Sequence, residues 1–494
     1  MMFKKILIAN RGEIAVRIIR TCRDMGIQTV VLYDTDDLGS LHVRLADESV
    51  ALQSDQSYTD QQVILQLAKA TGAEAIHPGY GFLAEQPSFV RACEEAGLAF
   101  IGPSSDVIAG LQNKIETLKR VREAGFAAPN YSSRTFDEGE EEALRAEAER
   151  MGFPLIIKSF SGGRGSGTRL VRSSEKLLAT LHQSQTGAQN VFGSKRVYLE
   201  QAILPSHYVE VQLLGDHHGN IIHLGERDGS IQRNNQKIVE ESPAPYLTQE
   251  QREKLWNMAI EVARLLNCCS ACSVEFLVDT DGQCYFTEIK ARIQMEHPIS
   301  ELVSQVDIVR EQIRIAADEP LAFKQSDIQL RGWAMQCRIN AEDPWNNFLP
   351  SPGRLNTLRL PGGPYVRVDT YAYSGCEVPP RYDPVFAKVA VWGETRSECI
   401  LRMRRALEDF AVSGIQTNLP LHYRIMSGAD FLRGDYNTEF SRRPLLKAYS
   451  SETDRRNLAV AAAIAYASRV QAAQATTPER FLTGWHRDSR KLPE

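Results

Sequence analysis

No apolar run in the sequence approaches the roughly 18 residues that a membrane helix needs. The apolar stretch that follows Lys4 and Lys5 is also too short for a signal peptide. A cytoplasmic chain that meets no membrane is therefore expected. Cysteine is sparse for the length, nine in 494 residues, and scattered apart from Cys268, Cys269 and Cys272. That cluster lacks a second Cys/His pair at zinc spacing, so reduced thiols are expected instead of a metal site or a disulfide framework. An excess of positive charge is missing too. The 57 Lys and Arg against 62 Asp and Glu leave a net charge of −5, which argues against nucleic acid as the main partner. Internal repeats and low-complexity segments are not evident. What remains is an ordinary globular balance, 43% hydrophobic and 24% charged. At roughly 100–200 residues per domain, about three lobes are expected, each with its own core.

The first 110 or so residues alternate strand and helix. Strands are expected at Lys5–Ala9, Thr29–Tyr33, Ala75–His77 and Ala99–Ile101. Ile14, Ile18, Ile19, Cys22 and Met25 stand at helical spacing, and Gln61–Thr71 and Ser88–Ala96 read as helices. This is a doubly wound, mostly parallel pattern. Helices near Lys114–Gly125 and Glu140–Met151 then lead into strand-rich sequence. Pro154–Lys158, Thr168–Val171, Arg196–Ala202 and Val209–Leu214 read as strands of one mixed sheet. A helix over Gln249–Leu266 precedes a hairpin, Cys272–Val278 with Gln283–Ile289, turning on Asp281-Gly282. A strand-rich region from Gly332 to about Trp392, a helix near Ser397–Asp409 and an Ala-rich helical tail, Arg455–Gln474, complete the chain.

Several constellations point to anion chemistry. Ser161-Gly162-Gly163-Arg164-Gly165-Ser166-Gly167 lies between two predicted strands and matches neither a Walker A nor a Rossmann loop. A glycine hairpin can still bring backbone N–H groups onto phosphates, because no Cβ blocks the approach; a plain surface hairpin is the alternative. Lys158 ends the strand entering that loop, and Lys114 opens a helix; either could serve phosphate as a point charge. Glu275 and Glu288 lie on the two strands of the hairpin. If they face each other they require a cation between them, and Mg²⁺ is commonly held by one or two carboxylates plus substrate phosphates. The segment Glu288-Ile289-Lys290-Ala291-Arg292-Ile293-Gln294-Met295-Glu296-His297-Pro298 follows at a strand end, where ligands of α/β sheets collect. Arg292 suits a bidentate oxyanion, Glu296 a general base, and His297 a structural role. Glu226-Arg227-Asp228, Gln232-Arg233-Asn234-Asn235-Gln236-Lys237 and Arg338-Ile339-Asn340-Ala341-Glu342-Asp343-Pro344 read equally well as solvated stretches.

The order of these motifs resembles biotin carboxylase, the ATP-grasp component of biotin-dependent carboxylases. Ile8-Ala9-Asn10-Arg11-Gly12-Glu13-Ile14-Ala15, Ala75-Ile76-His77-Pro78-Gly79-Tyr80-Gly81-Phe82-Leu83 and Phe100-Ile101-Gly102-Pro103 open it. Glu226-Arg227-Asp228, Gln236-Lys237, Glu240-Glu241, Arg292-Ile293-Gln294, Glu296-His297-Pro298, Arg338-Ile339-Asn340-Ala341-Glu342-Asp343-Pro344 and Phe348-Leu349-Pro350-Ser351-Pro352-Gly353 continue it. The resemblance spans about residues 3–445. It implies a Rossmann-like α/β N-terminal domain (1–112) and an ATP-grasp domain (113–331) with a mobile lid at about 130–205. A mixed α+β C-terminal domain (332–447) and a helical tail (448–494) would follow. By the same resemblance Lys114, Lys158 and the flap glycines Gly162, Gly163 and Gly165 would hold ATP phosphates. Glu200 would lie on the adenine side, with Ile203, Gln232 and Leu277 completing the cofactor pocket. Glu275 and Glu288 would bind Mg²⁺ or Mn²⁺. Arg292, Gln294 and the Met295 backbone N–H would bind bicarbonate, which Glu296 would deprotonate for attack on the γ-phosphate, giving carboxyphosphate beside Lys237. Arg338 would stabilise the enolate-like ureido oxygen of biotin. A homodimer is implied. No Met is followed by Lys, so biotin is expected on a separate biotin carboxyl carrier protein, and the further partner would be a carboxyltransferase subunit. Residues 455–485 look similar to the segment after the carboxylase region in acyl-CoA carboxylase α subunits.

The sequence departs from that family where charge matters. The flap ends Gly-Ser-Gly-Thr instead of Arg-Gly-Met, Gln201 replaces a Lys, Tyr208 and Asn235 replace His residues, and Lys290 replaces a metal-ligating Asn. A protonated lysine cannot ligate Mg²⁺; it can stand in for one cation's charge or abolish a second metal site. Since Lys290 follows Glu288 by two residues, both side chains should leave the same strand face and pair. Three readings compete: an active biotin carboxylase, a catalytically impaired or regulatory paralogue, and an ATP-grasp ligase for another carboxylate. Arg292, Glu296 and Arg338 favour the first, and the departures favour the second.

Overall fold

The structure is a computed structural model that describes residues 2–160, 168–440 and 452–472. The N-terminal strands β1 (Lys5–Ile8), β2 (Gln28–Tyr33), β3 (Glu48–Ala51), β4 (Ala75–His77) and β5 (Ala99–Phe100) form one sheet, ordered β3-β2-β1-β4-β5. All its pairs are parallel. Ile6, Leu7, Ile8, Val30, Val31 and Leu32 are buried, the continuous apolar run of strands covered on both faces. The helix Gly12–Asp24 lays Ile14, Ile18, Ile19 and Cys22 against this sheet. β3 escapes sequence reading because Glu48-Ser49-Val50-Ala51 is a largely exposed edge strand with no apolar signature.

The four strands expected to share a mixed sheet divide between two. β6 (Leu155–Ser159), β7 (Arg169–Val171) and β8 (Val197–Gln201) make a separate antiparallel sheet, ordered β7-β6-β8. The helices Glu141–Met151 and Leu177–Phe192 pack on it, the second of them absent from the sequence reading. This segment has its own core of Phe136, Leu144, Leu155, Ile157, Leu181, Val197 and Leu199, among others, all from residues 136–199.

The fourth strand, β9 (Ser206–Gly215), enters an eight-stranded antiparallel sheet with β10 (Ile221–Arg233), β11 (Gln236–Ser242), β12 (Ser270–Asp279), β13 (Cys284–Lys290), β14 (Trp333–Asn340), β15 (Val366–Thr370) and β16 (Val385–Gly393). The order is β13-β12-β9-β10-β11-β14-β16-β15. The polar clusters that read as solvated stretches are therefore sheet strands: Glu226, Arg227 and Asp228 are buried in β10. Asn234 and Asn235 turn β10 into β11 with φ of 50° and 62°, the two left-handed positions of a type I′ hairpin, which Asn tolerates. The hairpin turn after β12 falls where expected, with Gly282 at φ 80°.

Residues 1–446 form one compact unit and residues 447–494 a second, in which Glu452–Ala472 is a helix. No helix among the described residues is long and apolar enough to cross a membrane.

Candidate functional site

Alternation along β9 and β12 builds the site. Val209, Val211 and Leu213 face one side of the sheet, and Tyr208, Glu210 and Gln212 face the other; in β12, Ser273 and Glu275 alternate with Val274 and Phe276 in the same way. The register then sets Glu288 opposite Glu275, Glu275 opposite Glu210 and Glu210 opposite Arg227. Three carboxylates and one guanidinium thus stand abreast on one face across β13, β12, β9 and β10. Glu275 and Glu288 do face each other, the condition under which a cation between them is called for.

Like charges directly opposite each other destabilise a sheet, and cations gather on this row. Arg227, fully buried, donates to Glu210 at 2.8 Å, Gln212 at 2.7 Å and Gln294 at 2.6 Å. Lys237, opposite Gln232 in the β10–β11 register, reaches Glu210 at 2.6 Å, lies 4.0 Å from Glu275 and pairs with Glu296. At the far end Lys290 lies 2.8 Å and Lys114 3.3 Å from the same Glu288 oxygen; the expected same-face pairing of Lys290 with Glu288 is present. Burial opposes the charge on Glu288, but Lys114 and Lys290 hold its carboxyl well below the usual range. Glu275 has weaker help. It accepts from Tyr208 and from Gln294 at 2.8 Å, and burial with the nearby Glu288 pushes it up to about 7.

Glu296 follows β13 at the start of the helix His297–Ser304. Its carboxylate pairs with Lys237 and lies 3.2 Å from Arg338, which also donates to Glu240 at 2.6 Å. Burial works against ionisation there, yet Lys237 and Arg338 keep Glu296 well below the usual carboxylate range. Arg292 donates to Glu85 at 2.9 Å and to its neighbour's carbonyl at Ile293. His297 is buried, which holds it neutral, and its Nδ1 donates to the Gln294 carbonyl at 2.7 Å.

Most of the described charged candidates fall into two connected groups, with Arg292 paired separately to Glu85. Lys114, Lys237, Glu275, Glu288, Gln294, Glu296 and Arg338 share one charge network. Lys158 pairs with Glu200 at 2.7 Å on β6 and β8 of the smaller antiparallel sheet. Leu277 stands opposite Tyr208 in the register, and Gln232 donates to Gly229; Ile203 is half-buried just past β8. Gly162, Gly163 and Gly165 lie outside the described residues. Sequence reasoning missed Glu210, Arg227's central place and Glu85. Period-two alternation of Tyr208, Glu210 and Gln212 in an apolar strand was a usable signal for the first; nothing local marks Glu85.

Two carboxylates facing across a hairpin suit one hard divalent ion that takes its other oxygens from phosphate and water. A second ion beside Glu288 would meet the Lys290 ammonium. Among the described residues no cluster of three or more His, Cys, Asp or Glu side chains is arranged to hold a metal on its own.

The sequence matches three family models: Biotin carboxylase, N-terminal domain, over residues 2–108; Carbamoyl-phosphate synthase L chain, ATP binding domain, over 114–324; and Biotin carboxylase C-terminal domain, over 336–443. It is 45% identical over 443 residues to biotin carboxylase 1 of Bacillus subtilis, covering 89% of this chain and 98% of that one. It is 43% identical over 448 residues to biotin carboxylase of Haemophilus influenzae, covering 90% of this chain and 99% of that one. Among solved structures, the biotin carboxylase domain dimer of Hydrogenobacter thermophilus 2-oxoglutarate carboxylase, in complex with MgADP, ADP and bicarbonate, superposes with a TM-score of 0.88 at 42% identity, covering 91% of this chain and 100% of that one. Campylobacter jejuni biotin carboxylase gives 0.85 at 37% identity, covering 89% and 99%.

Behind the row, on the other face of β10, Asp228 is buried and accepts from Ser230 N at 2.9 Å, Ser230 Oγ at 2.8 Å and Tyr246 at 3.0 Å. Burial outweighs these bonds and pushes its carboxyl up to about 7. A folded-state value above the unfolded one means that its contribution to stability is full below about pH 4 and is lost as pH rises through about 7. Asp228→Asn removes that loss. Its unfolding free energy relative to the wild type should therefore rise by on the order of 2 kcal/mol between pH 5 and pH 8 in urea titrations. A difference between the two proteins that does not change with pH would refute the assignment.

Proposed function

The chain belongs to the biotin carboxylase family, and from that premise we propose that it uses ATP and bicarbonate to carboxylate biotin through the row of charges described above. The observation that carries this reading is the grip on Glu296: one carboxylate held between Lys237 and Arg338, with the same Lys237 lying 4.0 Å from Glu275. The collected cations are a preformed site for anionic substrates, and preorganised charge usually supplies more of the rate in such catalysis than any other single effect. Arg292, Gln294 and the Met295 N–H receive bicarbonate. Glu296 takes its proton, and the freed oxygen attacks the γ-phosphorus as the bond to ADP breaks, giving carboxyphosphate beside Lys237. Arg338 then faces the ureido oxygen of biotin as negative charge develops there. Glu296 starts ionised, and Lys237 and Arg338 must turn toward the incoming anions before it becomes a useful base.

Lys114 and Lys158, with the glycine loop, receive the phosphates, and Glu200, Ile203, Gln232 and Leu277 line the rest of the nucleotide pocket. Glu275 and Glu288 hold Mg²⁺, which when bound neutralises phosphate charge. The separately cored segment at about 130–205 is read as a lid over the nucleotide. Biotin arrives on a carrier protein, a carboxyltransferase takes the product, and a second copy of the chain is the further partner, in keeping with the dimer described for the Hydrogenobacter domain. The free thiols, mostly buried, fit a cytoplasmic setting. The reading of an impaired paralogue is less favoured, because the chain is 45% and 43% identical to proteins named biotin carboxylase over nearly their whole length; the Lys290–Glu288 pair itself suits either reading.

Bicarbonate-dependent ATP hydrolysis with free biotin tests the function. Glu296→Gln should lower its rate by about 10²–10⁴ while calorimetry shows nearly intact ATP binding, whereas Lys158→Ala should weaken ATP binding itself. Equal loss of ATP affinity in both variants would reject these roles. Added nucleotide should slow hydrogen exchange in β6, β7 and β8; unchanged exchange at saturation would reject the lid. Lys290→Asn should increase the number of Mn²⁺ ions bound per nucleotide complex, counted by electron paramagnetic resonance, and steepen the dependence of ATPase on free metal. The same stoichiometry in both proteins would show that Lys290 does not stand in for a cation.

A further inference from the structure

We propose that Lys388, anchored by Glu13, is a positioning residue for Glu296, fixing the peptide on which that carboxylate is mounted. The inference rests on the reading of Glu296 as general base and goes beyond it. Lys388 lies on β16 directly opposite Arg338 of β14, so both side chains leave the same face of the sheet. Arg338 grips the Glu296 carboxylate at 3.2 Å. Lys388 grips its backbone, donating to the Met295 carbonyl at 3.0 Å. One cross-strand pair thus holds the same residue at two points.

The lysine is itself held. Its side chain is fully buried, and its amino group lies 3.0 Å from Glu13, in the helix Gly12–Asp24 of the N-terminal lobe. Glu13 also accepts from Tyr80, and Asp369 of β15 stands opposite Lys388 on the other side. Burying an ion pair is poor value as stabilisation, since apolar residues of similar volume often do as well. What the ammonium adds is direction. The Met295 carbonyl belongs to the peptide that carries the Glu296 N–H, so fixing it sets φ of Glu296 and the origin of its side chain. The preceding peptide is held independently, by His297 Nδ1 on the Gln294 carbonyl at 2.7 Å, which turns the Met295 N–H the other way. Two adjacent peptides are therefore held by buried side-chain donors, Lys388 for the base, with Gln336 Nε2 a longer second donor to the Met295 carbonyl at 3.5 Å, and His297 for the bicarbonate N–H.

The test is the double variant Lys388→Met with Glu13→Gln, which removes both charges together and leaves no unpaired ion. Misplacing a catalytic group by about 1 Å costs on the order of 10²-fold. The expected result is a fall of about 10- to 100-fold in kcat for bicarbonate-dependent ATP cleavage, with the calorimetric Kd for ATP within about twofold of wild type and an unchanged melting temperature. Lys388→Arg, which keeps a cationic donor, should recover part of the rate. A folded double variant with wild-type kcat overturns the proposal, as does a parallel loss of ATP affinity, which would mean a general structural role. Should the double variant not fold, Glu13→Gln alone decides, expected to lower kcat in the same selective manner and overturning the proposal if it does not. Glu296→Gln run alongside separates the two levels: if it keeps bicarbonate-dependent cleavage, the base assignment fails, and if it loses cleavage while the Lys388 variants do not, only the positioning role fails.

Discussion

Three carboxylates standing abreast on one sheet face are the constraint on which the rest of this molecule turns. The register of β13, β12 and β9 sets Glu288, Glu275 and Glu210 side by side, a placement that costs free energy unless cations join them. Each cation comes from a different part of the chain: Arg227 from β10, Lys237 from β11, Lys114 from the helix Lys114–Glu123, and Lys290 from the end of β13 itself. The row therefore acts as a hub that fastens neighbouring elements around one spot. It is also electrostatically uneven. Two lysines on Glu288 keep that end ionised, while Glu275, buried and beside Glu288, is pushed up to about 7 despite Lys237 at 4.0 Å.

A site of this kind suits anions better than it suits a free-standing metal. The cations are present before any substrate arrives, paired with protein carboxylates, and an incoming phosphate or bicarbonate exchanges one set of oxygens for another. Exchange of that sort avoids moving bare charge into a buried place, which would be expensive. Three of the sequence departures fit the same account. Tyr208 donates to Glu275, Asn235 takes a left-handed turn position that suits Asn, and Lys290 supplies charge to Glu288. Each is absorbed locally by a hydrogen bond, a backbone preference or an ion pair.

The backbone around Glu296 shows a second principle. A catalytic group is only as well placed as the peptide beneath it, and here the carbonyls of Gln294 and Met295 are both held by buried side chains, His297 and Lys388. Those side chains come from the adjacent helix and from a strand some ninety residues later, so the loop after β13 takes its shape from the whole sheet.

Pattern and motif in the sequence determined the parallel N-terminal sheet and the β12–β13 hairpin with its turn at Asp281-Gly282, and family resemblance pointed to the grouping of Glu275, Glu288, Glu296 and Arg338. Even the Lys290–Glu288 pair was legible, because residues two apart on a strand share a face whatever surrounds them. Tertiary structure alone decided that the polar run Glu226-Arg227-Asp228 is buried, that β6 to β8 form a sheet of their own, and that Glu210, Glu85, Glu13 and Lys388 belong with the site. The division follows from range. Strand alternation and turn chemistry act over a few residues and are written in local spacing. Which charge meets which across 17 to 375 positions depends on how sheets and helices pack, and a buried arginine looks like a solvated one until its partners are in place.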